Sequence, residues 1–424
     1  MISFKEALRV WLKIGCLGFG GPAGQIALMH RILVDEKKWV EESRYLHALN
    51  FCMLLPGPEA QKLATYVGWL LHGVRGGLAA GILFVLPGAI VMLAVSLLYV
   101  LGRGVPLIDG ALFGIKAAVL VIVVEALIRI GRRALKSRLL IGIAAGAFTG
   151  IFFLDLPFPL IVAIAAGMGF FLTRSPQAAS RGEPIPGRWR QFATSTVVGL
   201  ALWWTPVALA VMFLGTGHVM TQIGLFFSKL AVVSFGGAYA LMAYMAQEAV
   251  ENQGWMSAPE MVDGLGLAET LPGPLIKVTQ FVGFLAAFRA PEPFSPVASA
   301  VIGSALTTWV TFVPPMLLIF AGAPFVEQLR SNQRLSGALS AVTAAVVGVI
   351  LNLTIWFVLH VLFANVTEAR AGPLRWYEFD PLTLDLKVAA LASVAAVLAF
   401  VLHRGLLQLV GIMAALGIAV RLLS

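Results

Sequence analysis

The sequence predicts an all-α polytopic membrane protein with two inverted-topology repeats and discontinuous, re-entrant helices. Three observations carry this. The 424 residues are 59% hydrophobic and 12% charged, with mean hydropathy +0.90, and apolar runs of roughly membrane length recur throughout. Two apolar segments are interrupted by the same break, Pro56-Gly57-Pro58 and Pro272-Gly273-Pro274. The residues around the two breaks align with each other at a nearly constant offset.

Composition excludes other classes first. A membrane β-barrel would show short alternating strands. The N-terminus (4–13) is amphipathic and charged, without a small-residue cleavage site, so no cleavable signal is expected. Cys16 and Cys52 have neither metal spacing nor a disulfide pattern. Six histidines are scattered, and no Ser-His-Asp, Cys-His or Walker constellation exists, so no enzyme, metal or cofactor is expected. The net charge of +9 comes from Lys and Arg in short loops, as the positive-inside rule requires, and not from a nucleic-acid surface.

Around the first Pro-Gly-Pro, apolar stretches at 42–55 and 59–73 are each too short to span a bilayer, which takes roughly 20 helical residues. Two missing N–H groups and the ring clash stop the helix there. Such backbone survives at membrane depth only buried in protein or lining a wet cavity. The segment therefore reads as two half-helices meeting at a polar site.

The repeat fixes the remaining elements. Leu17-Gly18-Phe19-Gly20-Gly21 aligns with Val233-Ser234-Phe235-Gly236-Gly237 at an offset of 216, and Trp39 with Trp255. Tyr66-Val67-Gly68-Trp69-Leu70 aligns with Phe281-Val282-Gly283-Phe284-Leu285 at 215. After an insertion at 289–296 the offset is 227, where Pro87 meets Pro314. Each repeat then holds two broken segments and about four spans. These fall near 76–101, 108–130, 138–154 and 158–173, and near 296–321, 335–364, 384–403 and 405–423. The domains are a first repeat (1–173), a basic cytoplasmic linker (174–191), a connecting span (192–214) and a second, inverted repeat (215–424).

The connecting span inverts the second repeat, and loop charges agree. Residues 31–44 carry Arg31, Lys37, Lys38 and Arg44. Their counterparts at 247–260 carry Glu248, Glu251 and Glu260 and no cation. The first loop reads as cytoplasmic and its twin as external. The linker arginines, Arg330, Arg334 and Arg404 then also fall inside. Basic residues on both sides of the first break favour a re-entrant hairpin, with an interfacial helix as the alternative. Inverted repeats with broken helices are a common plan of secondary transporters.

Four breaks stand in two equivalent pairs: Gly20-Gly21-Pro22 with Phe235-Gly236-Gly237, and the two Pro-Gly-Pro motifs. A half-helix is expected after each. Its free N–H groups and positive end make an anion site, or else the glycines only permit close packing. Polar residues gather here: Gln25 after the first break; Glu59, Gln61 and Lys62 after the second; Tyr239 after the third. Glu269 and Thr270 precede the fourth, and Lys277 and Gln280 follow it. Lys62 and Lys277 are equivalent under the repeat and would suit a dianion. Alternatively each pairs locally, Lys62 with Glu59. Lys116, Glu125 and Asn352 are the coupling candidates within spans. Glu125 is either a proton carrier or the i+4 partner of Arg129.

At these motifs the sequence resembles the chromate ion transporter family, long-chain bidomain type. The matching stretches are Phe19-Gly20-Gly21-Pro22, Leu55-Pro56-Gly57-Pro58-Glu59-Ala60-Gln61, Ser234-Phe235-Gly236-Gly237-Ala238-Tyr239-Ala240 and Ala268-Glu269-Thr270-Leu271-Pro272-Gly273-Pro274. The resemblance implies a multi-pass inner-membrane protein that expels chromate, with sulfate as competitor, and confers chromate resistance. Lys62 and Lys277 depart from the uncharged residues the family pattern implies. Either these lysines tune this member, or the site works through backbone N–H groups alone. The expected partners are chromate, the lipid bilayer and, as an open option, a second copy in a homodimer. Transport or channelling of sulfate or another anion is the alternative.

Overall fold

The computed structural model describes residues 2–102, 104–172, 188–235, 238–323 and 333–423. Within them the chain forms sixteen α-helices and one β-hairpin. Residues 173–187, most of the linker expected at 174–191, lie outside the described residues, as do Arg330, Gly236, Gly237 and the Tyr239 side chain; the last four linker residues, 188–191, already belong to the helix Arg188–Leu214.

The half-helices come first. Helix α1 (Phe4–Leu17) is capped by the Ser3 hydroxyl, which accepts from the Glu6 N–H at 3.2 Å. After the first break, α2 (Gly21–His30) carries Pro22 in its first turn, where the missing N–H costs nothing. Helix α3 (Glu42–Leu54) runs into the second break, and α4 (Glu59–Leu101) leaves it. Helix α4 is two helices that fold back on each other at His72 and Gly73, so the half-helix expected to end near 73 does so. In the second repeat α9 (Val219–Val232), α10 (Ala238–Ala246), α11 (Ala258–Thr270) and α12 (Val278–Arg289) repeat the pattern. One difference follows the fourth break: a 3-10 turn, Leu275–Lys277, precedes α12. At about 1.5 Å per residue, half-helices of 9 to 14 residues are too short for a hydrocarbon core of about 30 Å.

The longer helices are α5 (Pro106–Ala134), α8 (Arg188–Leu214), α13 (Pro296–Gly322), α14 (Gln333–Leu362) and α16 (Leu406–Leu423). With α4 they make six helices long and apolar enough to cross a membrane among the described residues. Helices α6 (Arg138–Leu154) and α7 (Phe158–Leu172) are apolar but shorter, as is α15 (Leu386–Ala396) with its continuation to Val401. The protein is an all-α, multi-pass membrane protein.

One element was not anticipated. Residues between the expected spans at 335–364 and 384–403 form an antiparallel hairpin, β1 (Val366–Ala371) and β2 (Leu374–Phe379), turning at Gly372. Its strands are only six residues each, with charged residues interrupting the apolar ones, so hydropathy gave no signal. Arg375 holds it down. This guanidinium is 2% exposed, lies 2.9 Å from Asp155, 3.5 Å from Glu251 and 3.7 Å from Glu368, and donates to the Ile151 carbonyl at 2.8 Å.

The helices fall into two compact units. Unit one comprises Met1–Ala94, Phe170–Ala238 and Leu271–Gly337; unit two comprises Val95–Gly169, Tyr239–Thr270 and Ala338–Ser424. Each draws on both sequence repeats. Within unit one the repeat shows as matched packing. A Cβ on Gly68 would meet the Gly76 carbonyl at 2.5 Å. A Cβ on the equivalent Gly283 would meet the Thr307 hydroxyl at 1.9 Å and the carbonyl of Gly303, the equivalent of Gly76, at 3.2 Å. In both repeats the half-helix lies directly against the following long helix because neither side carries a Cβ.

Candidate functional site

Unit one collects the breaks, and they are cross-paired between repeats. The Gly57 N–H donates to the Ser234 carbonyl at 3.0 Å, and the Gly273 N–H donates to the Gly18 carbonyl at 2.9 Å. Gly57 and Gly273 are equivalent, and so are Gly18 and Ser234; the two bonds are therefore one contact made twice about an internal two-fold. Both glycines require positive φ, +105° and +92°, a region closed to most L-residues. The pairing continues outward. Gly57 packs on Pro315 of α13 and Gly273 on Gly88 of α4, again equivalent positions.

The Gly57 and Gly273 N–H groups lie just before the half-helices whose free N–H groups are expected to face an anion, and carbonyls of the opposite repeat accept them. The physical reason is that a buried backbone donor far from water takes whichever acceptor is in reach.

The two equivalent lysines are buried, each 1% exposed. Lys62 Nζ donates to the Leu55 carbonyl. Lys277 Nζ donates to the Leu271 carbonyl at 2.8 Å and the Gly273 carbonyl at 3.3 Å. Leu55 and Leu271 are themselves equivalent. Each ammonium thus sits on the carbonyl end of the half-helix entering its break, where the backbone dipole is negative and the last carbonyls lack helical partners. Lys62 reaches back along its own break, with Glu59 still close enough to act on it electrostatically.

Three glutamines join in. Gln25 Nε2 donates to the Gly18 carbonyl at 3.1 Å and the Gly273 carbonyl at 2.6 Å, stitching the first break to the fourth. Gln61 Nε2 donates to the Phe312 carbonyl at 3.0 Å, and Gln280 Nε2 to Ala89 and Ser304, each at 2.9 Å. The Oε1 atoms of all three are buried without a hydrogen-bond partner among the described residues. Buried acceptors of this kind persist where water or a ligand reaches them.

The structure thus brings together Gly20, Gly21, Pro22, Gln25, Pro56, Gly57, Pro58, Glu59, Gln61, Lys62, Phe235, Pro272, Gly273, Pro274, Lys277 and Gln280 in unit one. Glu269 and Thr270 belong to unit two, where the Thr270 hydroxyl donates locally to the Leu267 carbonyl at 2.8 Å. Glu125 is half-exposed, 3.8 Å from Arg129. Asn352 keeps a buried Oδ1 without a partner among the described residues. Lys116 stands 3.3 Å from Asp263 Oδ1. Asp263 was not singled out from the sequence, although a carboxylate inside an apolar half-helix was a readable signal.

The comparisons with known proteins agree with this architecture. The family described as "Chromate transporter" matches residues 5–170 and 221–419. A "Chromate transport protein" of Pseudomonas aeruginosa is 33% identical over 82% of this chain and 80% of its own length. A "Probable chromate transport protein" of Synechococcus elongatus is 29% identical over 82% and 83%. A "Chromate transport protein" of Cupriavidus metallidurans is 26% identical over 82% and 81%. No solved structure matches the chain. The match covers both broken repeats and the helices that follow them, so the chain belongs to the chromate transporter family.

Proposed function

We propose that this protein is a secondary transporter that carries chromate out across the inner membrane and so confers chromate resistance, with the dianion bound where the four breaks meet. The observation that carries this reading is the pair of buried, repeat-equivalent lysines in the unit where the breaks cross-pair. Stripping water from a dianion is expensive, and charged donors converging on it replace that water most effectively. Two ammonium groups and the adjacent break backbone supply such donors. Release of the Gly57 and Gly273 N–H groups from Ser234 and Gly18 would add two more. The names of the relatives support chromate as the substrate.

The domain division is part of the proposal: an inverted pair, 1–173 and 215–424, joined by an inside linker and one connecting span. Accessibility labelling near Lys38 and near Asn252 should report opposite faces; labelling of both from one side would refute the inversion. The functional experiment is flux into vesicles with labelled chromate and labelled sulfate. Chromate flux that sulfate only competes against supports the reading. Flux of sulfate alone would replace the substrate, and flux of neither would remove the transporter.

A further inference from the structure

Unit two contains an ion pair with a buried carboxylate beside water-sized space. Asp263 of α11 has a side chain 5% exposed. The Tyr99 hydroxyl donates to its Oδ2 at 2.9 Å, and Lys116 Nζ of α5 stands 3.3 Å from its Oδ1. Lys116, 25% exposed, opens onto a cavity of about 220 Å³ whose other charged walls are Asp109 and Arg421. A second cavity, of about 410 Å³, shares Phe113 and Arg421 with the first and continues past Asp385 and Lys387 to Leu386, which is 74% exposed. The charged and titratable groups facing Asp263 are therefore Tyr99 from α4, Asp109 and Lys116 from α5, and Arg421 from α16. Glu260, one turn earlier on α11, accepts from Ser257 N–H and Oγ, both at 2.9 Å.

A purely structural account of this pair is weak. Helix α11 already lies tight on α5, where a Cβ on Gly266 would come within 2.4 Å of Ile115 Cγ2. Burying a charge costs several kcal/mol, and here the carboxylate is buried while its ammonium partner is only partly so. A carboxylate kept at that cost, next to space reaching the surface, fits a titrating role.

We propose that Asp263 takes up and releases the proton that drives transport, that Tyr99 and Lys116 position its carboxyl, and that the two cavities are its path to water. On uptake the carboxylate accepts a proton from hydronium in the cavity, giving the neutral acid and water, and Lys116 loses its counter-charge. Release is the reverse. Asp263 lies about 10 Å along α11 from Thr270, and the fourth break follows in the chain, so the change of charge acts on the half-helix that enters that break. In the orientation proposed above the cavities open outside, the side from which an inward proton would drive an outward anion.

The proposal rests on the transporter reading, and its test separates the two. Wild type, Asp263→Asn and Asp263→Glu are reconstituted in vesicles. A pH titration followed by the infrared band of protonated carboxyls needs no chromate; chromate flux with and without an imposed pH gradient is read beside it. Wild type should show a titrating band and gradient-stimulated flux. D263N should lose one carboxyl's share of the band, out of 21 Asp and Glu, together with the gradient stimulation, and D263E should keep both with a shifted pH midpoint for that share. A band of wild-type amplitude, or undiminished gradient stimulation, in D263N overturns the proposal. If D263N does not fold, D263E decides through the midpoint, and an unmoved midpoint overturns the proposal. A wild type that moves no chromate refutes the transporter reading, and the band still decides the carboxyl.

Discussion

Replacing Gly57 by alanine should harm the protein more than the same change at its repeat mate Gly273, although the sequence treats the two alike. Both positions need positive φ, +105° and +92°, and an L-residue there costs about 1–3 kcal/mol. The surroundings differ. An alanine Cβ at 57 would lie 2.5 Å from Pro315 Cγ and 2.8 Å from Pro315 Cβ, a ring fixed within α13 that no rotamer change moves aside. At 273 the nearest atom is Gly88 Cα at 3.4 Å, a contact that a small shift absorbs. Overpacking adds roughly 1–3 kcal/mol at 57 only. The total is then about 2–6 kcal/mol for Gly57→Ala and 1–3 for Gly273→Ala, a large share of the usual ~5–15 kcal/mol of a domain. Thermal unfolding midpoints of the detergent-purified variants, read with vesicle flux at a temperature where both are folded, check this. A midpoint for Gly273→Ala at or below that of Gly57→Ala would refute the argument from Pro315.

Lys62→Met and Lys277→Met each strip a buried carbonyl of its donor and remove a cation from the proposed site. Losing a charged partner typically costs ~2–5 kcal/mol, so chromate affinity should fall by at least roughly 30-fold; wild-type affinity in both singles and the double would leave the backbone as sole binder. Gly283→Ala should destabilise by about 1–3 kcal/mol through its clash with Thr307, and adding Thr307→Ala should restore part of the loss; purely additive midpoints would contradict the contact. Arg375→Met removes the cation shared by Asp155, Glu251 and Glu368 and leaves Arg370 pairing only with Asp155 and Glu368, so stability should fall and protease nicking in the hairpin should accelerate. Burial pushes the Glu251 carboxyl above the usual range, against the pull of Arg375. The folded chain therefore holds that proton to higher pH than the unfolded one. Stability should fall as pH rises from about 4.3, the ordinary glutamate value, through the raised folded value; Glu251→Gln should flatten that slope, and an unchanged slope in melting scans would count against it.

The apolar spans were legible because spanning a bilayer fixes a length and a composition, and the run from 296 to 322 offers little else. The breaks were legible because proline and glycine act locally: Pro56-Gly57-Pro58 ends a helix whatever surrounds it. Equivalence of Lys62 with Lys277 followed from counting alone. The hairpin at 366–379 was not legible, since its strands are short and mixed in polarity and one buried arginine anchors them to carboxylates as far away in the chain as Asp155.

The sequence by itself thus determined the class, the repeat and the positions where helices stop, all of which are short-range properties. Only the tertiary structure decided what each stop touches. Gly57 meets Ser234 and Pro315, Gly273 meets Gly18 and Gly88, and the partners lie in the opposite repeat, far away in the chain. It also decided that Asp263 faces Lys116 and Tyr99. A side chain's partner is set by which helices pack together, and no local rule of propensity or spacing encodes that choice.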